Sequence, residues 1–143
     1  MRNWLLLAVI LLIGALFVMA QQGSNPPNAA PPAQQSIPPE AKNQANPVKP
    51  TTESLAAGKK QYDFDCAMCH GKNGDGKGDM AADSKAKVTD FTDPATLNHR
   101  TDGELFYVTK NGKSEMPPEG SRVKAEEIWN LVNYVRSFAK AAK

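Results

Sequence analysis

The chain has 143 residues, two cysteines and a formal net charge of +2. This length allows one domain with appendages rather than several domains. Residues 51–143 carry 14 basic and 14 acidic side chains, whereas residues 1–50 carry three and one. The larger part of the chain is therefore close to neutral, which gives no electrostatic basis for nucleic-acid binding.

The first 20 residues have the pattern of an export segment. Arg2 supplies a positive start, and the 17 residues from Trp4 to Ala20 carry no charge. Cleavage after Ala20 would leave Gln21 as the mature N-terminus. Retention as a membrane anchor is the alternative, although 17 helical residues reach only about 25 Å against a hydrocarbon core of about 30 Å. Both outcomes place the rest of the chain in the periplasm or on the outer face of the cytoplasmic membrane.

Residues 21–50 are predicted to form a disordered linker. Eight of the eleven prolines lie between Pro26 and Pro50, among Ala, Gln, Asn and Ser residues. A segment with so little to bury does not offset its ordering entropy, and as polyproline II it reaches at most roughly 90 Å. Such a tether suits an anchored chain best, and a spacer left after cleavage is the alternative. Residues 51–143 then form the globular domain.

The first helix of this domain is predicted to start at Thr51 or Thr52, with Glu53 in its first turn. One face is formed by residues at helical spacing: Leu55, Gly58, Tyr62 and Cys66. Glycine inside a helix costs about 1 kcal/mol relative to alanine. Gly58 therefore indicates a close approach by another helix.

Cys66, Cys69 and His70 form a C-x-x-C-H motif, the attachment signature of a c-type haem. Each cysteine sulfur can add to one haem vinyl group, and the spacing then brings His70 beneath the iron as an axial ligand. The motif predicts one covalently bound haem c and its iron.

Two other interpretations of the motif fit the sequence less well. A thioredoxin-like disulfide belongs near a βαβ pattern, and the sequence shows no parallel strands. Zinc could use Cys66, Cys69, His70 and His99, but the adjacent Cys69 and His70 are poorly placed around one tetrahedral ion. His99 is predicted to be a surface or loop histidine.

Two short helices are predicted between the motif and residue 112. Asp93 and Pro94 have the N-cap and first-turn pattern of a helix that runs through Leu97. Thr101 and Glu104 form a capping box for a second helix, which ends at Asn111 and Gly112.

Met116 is predicted to be the second axial ligand of the iron. Pro117 and Pro118 stiffen the backbone directly after its thioether, which suits the holding of a soft ligand. The competing methionines are less suitable. Met68 lies inside the attachment loop and does not cross the ring, and Met80 is in the flexible segment only ten residues after His70.

The last helix is predicted from Ala125 to Ala139. Its apolar face has helical spacing: Ile128, Leu131, Val132, Val135 and Phe138. The missing side chain of Gly58 makes the first helix its natural packing partner.

With these landmarks, residues 52–140 resemble class I cytochrome c, specifically the small single-haem bacterial and chloroplast-type members. The matching segments are Gly58 and Tyr62, the C-x-x-C-H motif with Gly71, residues 104–107, residues 116–118 and residues 128–136. The resemblance implies an all-α cytochrome c fold of about four to five short helices around one haem. It also implies that Gly58 and Tyr62 pack against Leu131 and Tyr134. One departure is Lys124, because many relatives have Ser or Thr at this helix cap; Ser121 or the backbone would then cap the helix.

The expected function is that of a one-electron carrier, not an enzyme. An iron with protein ligands on both faces has no open position for a substrate, so electrons leave through the haem edge. The expected partners are a redox donor and acceptor, in particular membrane respiratory complexes. Two alternatives remain open. One is an electron-input subunit of a larger respiratory oxidoreductase, and the other is a peroxidase or gas-binding protein in which Met116 is displaced.

Overall fold

The computed structural model describes residues 36–84 and 87–141, which belong to one compact unit, Gln34–Lys143. The predicted export segment and residues 21–35 of the predicted linker lie outside the described residues. Six α-helices are described: α1 (Pro39–Lys42), α2 (Thr52–Asp65), α3 (Ala67–His70), α4 (Pro94–Asn98), α5 (Asp102–Asn111) and α6 (Ala125–Ala141). None of them is long and apolar enough to cross a membrane. The described residues contain no strand beyond one isolated bridge, between Lys113 and Met116, so the predicted all-α class is confirmed.

The starts of the helices follow the capping patterns of the sequence. The hydroxyl of Thr51 accepts a hydrogen bond from the backbone N–H of Ser54 at 3.2 Å, and Asp93 caps α4. At the start of α5, Thr101 and Glu104 bond each other's backbone N–H groups, at 3.1 and 2.9 Å. Each cap satisfies donors that a helix leaves free at its first turn, which explains why these starts were predictable.

At the start of α6 the cap is supplied from inside the helix. The backbone N–H of Lys124 donates to a carboxylate oxygen of Glu127 at 2.9 Å. This bond is one half of a capping box. The helix therefore begins at Ala125 although position 124 has no Ser or Thr.

Helices α2 and α6 cross at Gly58. A Cβ atom added there would lie 2.8 Å from the carbonyl carbon of Asn130 and 2.8 Å from the Cβ of Tyr134. Close beside the crossing, the fully buried ring of Tyr62 meets the ring of Tyr134 edge to face, with centroids 5.4 Å apart. The predicted packing of the last helix on Gly58 is confirmed, and the missing side chain is its physical cause.

Helix α6 contributes to both hydrophobic clusters of the domain. The first cluster consists of Phe106, Val123, Ile128, Trp129 and Val132. The second consists of Tyr62, Leu97, Leu131 and Val135. Stacking of Phe106 on Trp129, with ring centroids 4.0 Å apart, joins α5 to α6. Because α6 supplies residues to both clusters, it fixes α2 and α5 in one core.

The prediction that all of residues 21–50 are disordered is wrong for the part that the structure describes. The side-chain amide of Asn46 donates to the Oδ1 of Asn133 at 2.9 Å and to the carbonyl of Trp129 at 3.2 Å. Asn133 in turn donates to the carbonyl of Val48 at 2.9 Å. These bonds fasten the segment to α6. Composition did not reveal these bonds. A single asparagine, Asn46, attaches the segment to α6 by hydrogen bonds, and this attachment needs no hydrophobic face that a sequence pattern would show.

Candidate haem site

The two cysteines and the histidine of the motif lie on an almost continuous helical path. Cys66 follows α2 directly and keeps a right-handed helical backbone, with φ −109° and ψ −36°. Its N–H donates to the carbonyl of Tyr62 at 2.9 Å, and its own carbonyl accepts from the N–H of His70 at 2.9 Å. Both cysteines are half-buried. The local backbone therefore fixes the spacing between the three functional side chains.

The surroundings of Cys66 favour an uncharged sulfur. Burial raises the pKa of the Cys66 thiol to about 12, and the nearby carboxylates of Asp65 and Glu119 add to this shift. A zinc ligand would have to be a thiolate, whereas the sulfur of a thioether is neutral. A buried, uncharged sulfur is also the form that a thioether to haem would have at this position.

Residues 71–79 form a glycine-rich loop after the motif. The imidazole of His70 is oriented by the segment that follows this loop. Its Nδ1 lies 3.3 Å from the carbonyl oxygen of Thr89. A carbonyl only accepts, so this bond places the proton on Nδ1 and leaves the lone pair of Nε2 for a metal. Phe91 stacks on the imidazole, with centroids 4.6 Å apart and planes 19° apart. Burial lowers the pKa of His70, against a smaller raising effect of the Thr89 bond, and so favours the neutral form that coordinates iron.

The glycine-rich loop returns onto the attachment segment. Gly71, with φ +77°, turns the chain directly after His70. The hydroxyl of the buried Tyr62 donates to the Gly71 carbonyl at 2.8 Å, and Gly78 donates from its backbone to the carbonyl of Cys69 at 3.1 Å. The end of the motif is therefore held from both α2 and the loop.

Met116 lies in the loop after α5 and is half-buried. Its backbone exchanges two hydrogen bonds of 3.0 Å with Lys113. Gly112 has φ +75°, and a Cβ atom there would lie 2.7 Å from the carbonyl oxygen of Met116. Further along, the N–H of Glu119 donates to the carbonyl of Thr109 at 3.0 Å. The loop is therefore fixed by bonds across its own turn and to α5, and not by its prolines alone.

The competing methionines are more open to solvent. Met68 is 51% exposed and Met80 is 46% exposed, whereas Met116 is half-buried. A thioether that serves as a ligand inside a haem pocket has to be shielded from water. The burial of the three residues therefore supports Met116 over the other two.

One ion bridge joins the Met116 loop to the attachment segment. The guanidinium of Arg122 donates to Asp65, the last residue of α2, at 2.9 Å and to Glu119 at 2.6 Å. The sequence places Cys66, Cys69 and His70 on one segment and Met116 on another, and this bridge connects the two.

Sequence reasoning missed Thr89, Phe91 and Arg122 as parts of the site. No local pattern marks them, because each acts only where the chain returns to the motif. His99, by contrast, is exposed at the end of α4, as predicted. Among the described residues, no group of three or more His, Cys, Asp or Glu side chains could hold a metal ion.

A helical domain built around a C-x-x-C-H segment defines a c-type haem protein. The chain belongs to the family described as cytochrome c oxidase, cbb3-type, subunit III, whose model matches residues 53–135. It is 31% identical over 83 residues to cytochrome c6 of Pyropia tenera, a match that covers 58% of this chain and 91% of that protein.

The structure is also similar to a chain of the reducing HAO-like protein complex of Kuenenia stuttgartiensis. The TM-score is 0.59 and the identity 28%, over 64% of this chain. The match covers 46% of the other chain, so this protein spans about half of its length.

These similarities confirm the predicted class I c-type cytochrome and its covalently bound haem c with iron. The protein is an electron carrier or a subunit of a haem-containing redox complex, and its partners are redox proteins. The bound haem supplies a one-electron couple.

Proposed function

We propose that the protein is a non-enzymatic one-electron carrier, with haem attached through Cys66 and Cys69 and with His70 and Met116 as axial ligands. The observation that carries this proposal is the His70 imidazole. Its Nδ1 faces the Thr89 carbonyl at 3.3 Å, and the ring shares one helical segment with both cysteines. The Thr89 carbonyl favours the tautomer that leaves Nε2 available to an iron, which supports His70 as an axial ligand.

The burial and anchoring of Met116 support its role as the second ligand. Two protein ligands on one iron leave no open coordination position, which suits outer-sphere electron transfer rather than conversion of a substrate. A methionine ligand also gives a higher reduction potential than a second histidine would.

Exposed apolar side chains around the motif support electron exchange with a protein partner. Phe64 is 79% exposed and lies two residues before Cys66, and Met68 lies inside the motif. The backbone of Met80 donates to the Met68 carbonyl at 2.9 Å, which brings a third exposed apolar residue to the same segment. These three residues are the exposed large apolar side chains among the described residues. A donor or acceptor within a membrane respiratory complex would bury these residues next to the haem.

The test of the ligand set is Met116→Ala in protein produced with a c-type maturation system. We expect the reduced variant to bind carbon monoxide stoichiometrically, its reduction potential to fall, and the weak Met–iron charge-transfer band of the ferric form to disappear. Met80→Ala is the matched control and should leave all three properties unchanged, because Met80 is 46% exposed. An unaltered potential in Met116→Ala would assign the second ligand to another residue.

Carbon monoxide binding to the reduced wild-type protein separates the carrier from a peroxidase or gas-binding protein. A wild-type protein that takes up carbon monoxide in its reduced state would have an open iron position. In that case the carrier proposal would fail.

A second candidate is an electron-input subunit of a larger respiratory oxidoreductase. It is favoured by the family of the chain and by the neighbour that forms part of a protein complex. Gentle solubilisation of native membranes distinguishes the two. A subunit would remain in stoichiometric association with haem-containing partners through size exclusion, whereas a shuttle would elute alone.

We further propose that residues 1–20 direct export, so that the haem domain works in the periplasm or on the outer membrane face. The uncharged run after Arg2 supports this proposal. The intact mass of the natural protein distinguishes cleavage before Gln21 from retention as an anchor. A cytoplasmic protein that keeps residues 1–20 would contradict export by either route, cleavage or anchoring.

A further inference from the structure

Arg122 connects two parts of the candidate haem site that lie far apart in the chain. Its Nη2 donates to the Oδ1 of Asp65 at 2.9 Å and to the Oε2 of Glu119 at 2.6 Å. Asp65 is the last residue of α2 and directly precedes Cys66. Glu119 lies three residues after Met116. A single nitrogen therefore joins the attachment helix to the loop that carries the proposed second ligand.

The two carboxylates are close together and poorly solvated. The Asp65 side chain is 10% exposed and that of Glu119 is 8% exposed. Burial, and secondarily the charge of Asp65, raises the pKa of Glu119. Two anions in such a site repel each other, and the cation between them removes this repulsion. The other oxygen of Asp65 accepts from the Gln61 amide, which fixes that carboxylate on α2.

Glu119 transmits this contact to the loop through its backbone. Its N–H donates to the Thr109 carbonyl at 3.0 Å, and its carbonyl accepts from the N–H of Val123 at 2.9 Å. The residue is thus fixed in its own turn. If Glu119 moved away from α2, it would move the segment three residues upstream, where Met116 lies.

We propose that Arg122 is a positioning residue that holds the Met116 loop against the attachment helix and so keeps the Met116 thioether within reach of the haem iron. This inference rests on the proposed function, because it requires Met116 to be a ligand. The motif fixes the His70 side of the haem without Arg122. We therefore expect loss of the bridge to affect the Met116 side.

The test is a titration of the ferric holoprotein with imidazole, which competes with the methionine for the iron. Arg122→Gln removes the charge and should raise the apparent affinity for imidazole about fivefold, or about 1 kcal/mol, as expected for a half-exposed ion bridge. Arg122→Lys retains the charge without the guanidinium fork and should recover part of the difference. In both variants the covalent haem should remain, as measured by intact mass.

Arg136→Gln is the matched control. Arg136 is also a bridging arginine, with its Nε 2.8 Å from Asp102 and its Nη1 2.6 Å from the carbonyl of Leu97. These partners lie outside the Met116 loop. Its loss should lower the unfolding temperature without changing the affinity for imidazole.

The outcomes separate this inference from the proposed function. If Met116→Ala opens the iron but Arg122→Gln binds imidazole like the wild type, Met116 is a ligand and Arg122 does not position it. An equal increase of the apparent affinity for imidazole in Arg122→Gln and Arg136→Gln would indicate general destabilisation and would also overturn the inference. If Met116→Ala changes nothing, the ligand assignment fails, and the role of Arg122 fails with it.

Discussion

The two halves of the haem site are held in different ways. The backbone of residues 66–70 forms its hydrogen bonds with nearby parts of the chain, from Tyr62 in the preceding helical turn to Gly78 and Met80 in the loop that follows. Residues 112–119 depend on partners elsewhere, including Thr109 and, through Arg122, the side chain of Asp65, which is 57 residues away from Arg122. A short sequence therefore suffices to place the two cysteines and His70, whereas the position of Met116, the proposed second ligand, depends on the assembled fold.

Backbone conformation shows the same contrast. The attachment segment is right-handed helix up to Gly71, where the chain turns away. The Met116 loop requires positive φ at Gly112 (+75°) and also at Ser114 (+55°), a residue type that rarely adopts it. The loop therefore carries backbone strain that the attachment segment does not. We expect it to unfold before the attachment segment when the protein is destabilised.

The largest expected effect comes from removal of the attachment points. Cys66→Ala combined with Cys69→Ala should abolish covalent haem completely, since the chain contains no other cysteine. Intact-mass measurement under denaturing conditions reports the bound haem directly. Met116→Ala provides the comparison and should retain the full haem mass. Haem mass in the double cysteine variant would contradict the assignment of the motif.

Gly58→Ala should destabilise the scaffold that both halves share. The added Cβ would lie 2.8 Å from the Cβ of Tyr134, so α2 and α6 would have to move apart. We expect a loss of about 3 kcal/mol in the free energy of unfolding of the holoprotein, measured by urea denaturation. The control is Ala57→Gly, at an exposed position of the same helix, which should cost about 1 kcal/mol through helix propensity alone. A smaller loss for Gly58→Ala than for the control would show that the helices do not touch there.

Gly112→Ala should damage the Met116 half alone. At φ +75° an alanine is strained, and its Cβ would lie 2.7 Å from the Met116 carbonyl oxygen. We expect a loss of about 2 kcal/mol in the free energy of unfolding and a weaker Met–iron charge-transfer band, with the haem still covalently bound.

Ser114→Gly tests the same loop in the opposite direction. It relieves positive φ and should change the free energy of unfolding by less than about 1 kcal/mol, because the greater entropy of glycine in the unfolded chain offsets the relief. For Gly112→Ala, a lower amount of covalently bound haem would show that the two halves of the haem site are not independent.

The sequence alone determined the features that depend on neighbours within a few residues. The motif with its spacing, the caps at Thr51, Asp93 and Thr101, and the apolar face of α6 all follow from local geometry. Gly58 is a partial exception, since a glycine inside a helix indicates a close approach without naming the partner. The apolar face of the last helix and the resemblance to class I cytochromes c both indicated that helix as the partner, and the crossing with α6 confirms it.

Only the tertiary structure decided which distant groups meet. Asn46 packs on α6 in a segment whose composition indicates disorder, the Thr89 carbonyl selects the tautomer of His70, and Arg122 bridges two carboxylates from different segments. Each of these contacts joins residues from distant segments and depends on the course of the chain between them. A local sequence pattern does not indicate which distant residues will meet. A helix cap or a helical face, by contrast, involves only residues within two or three turns.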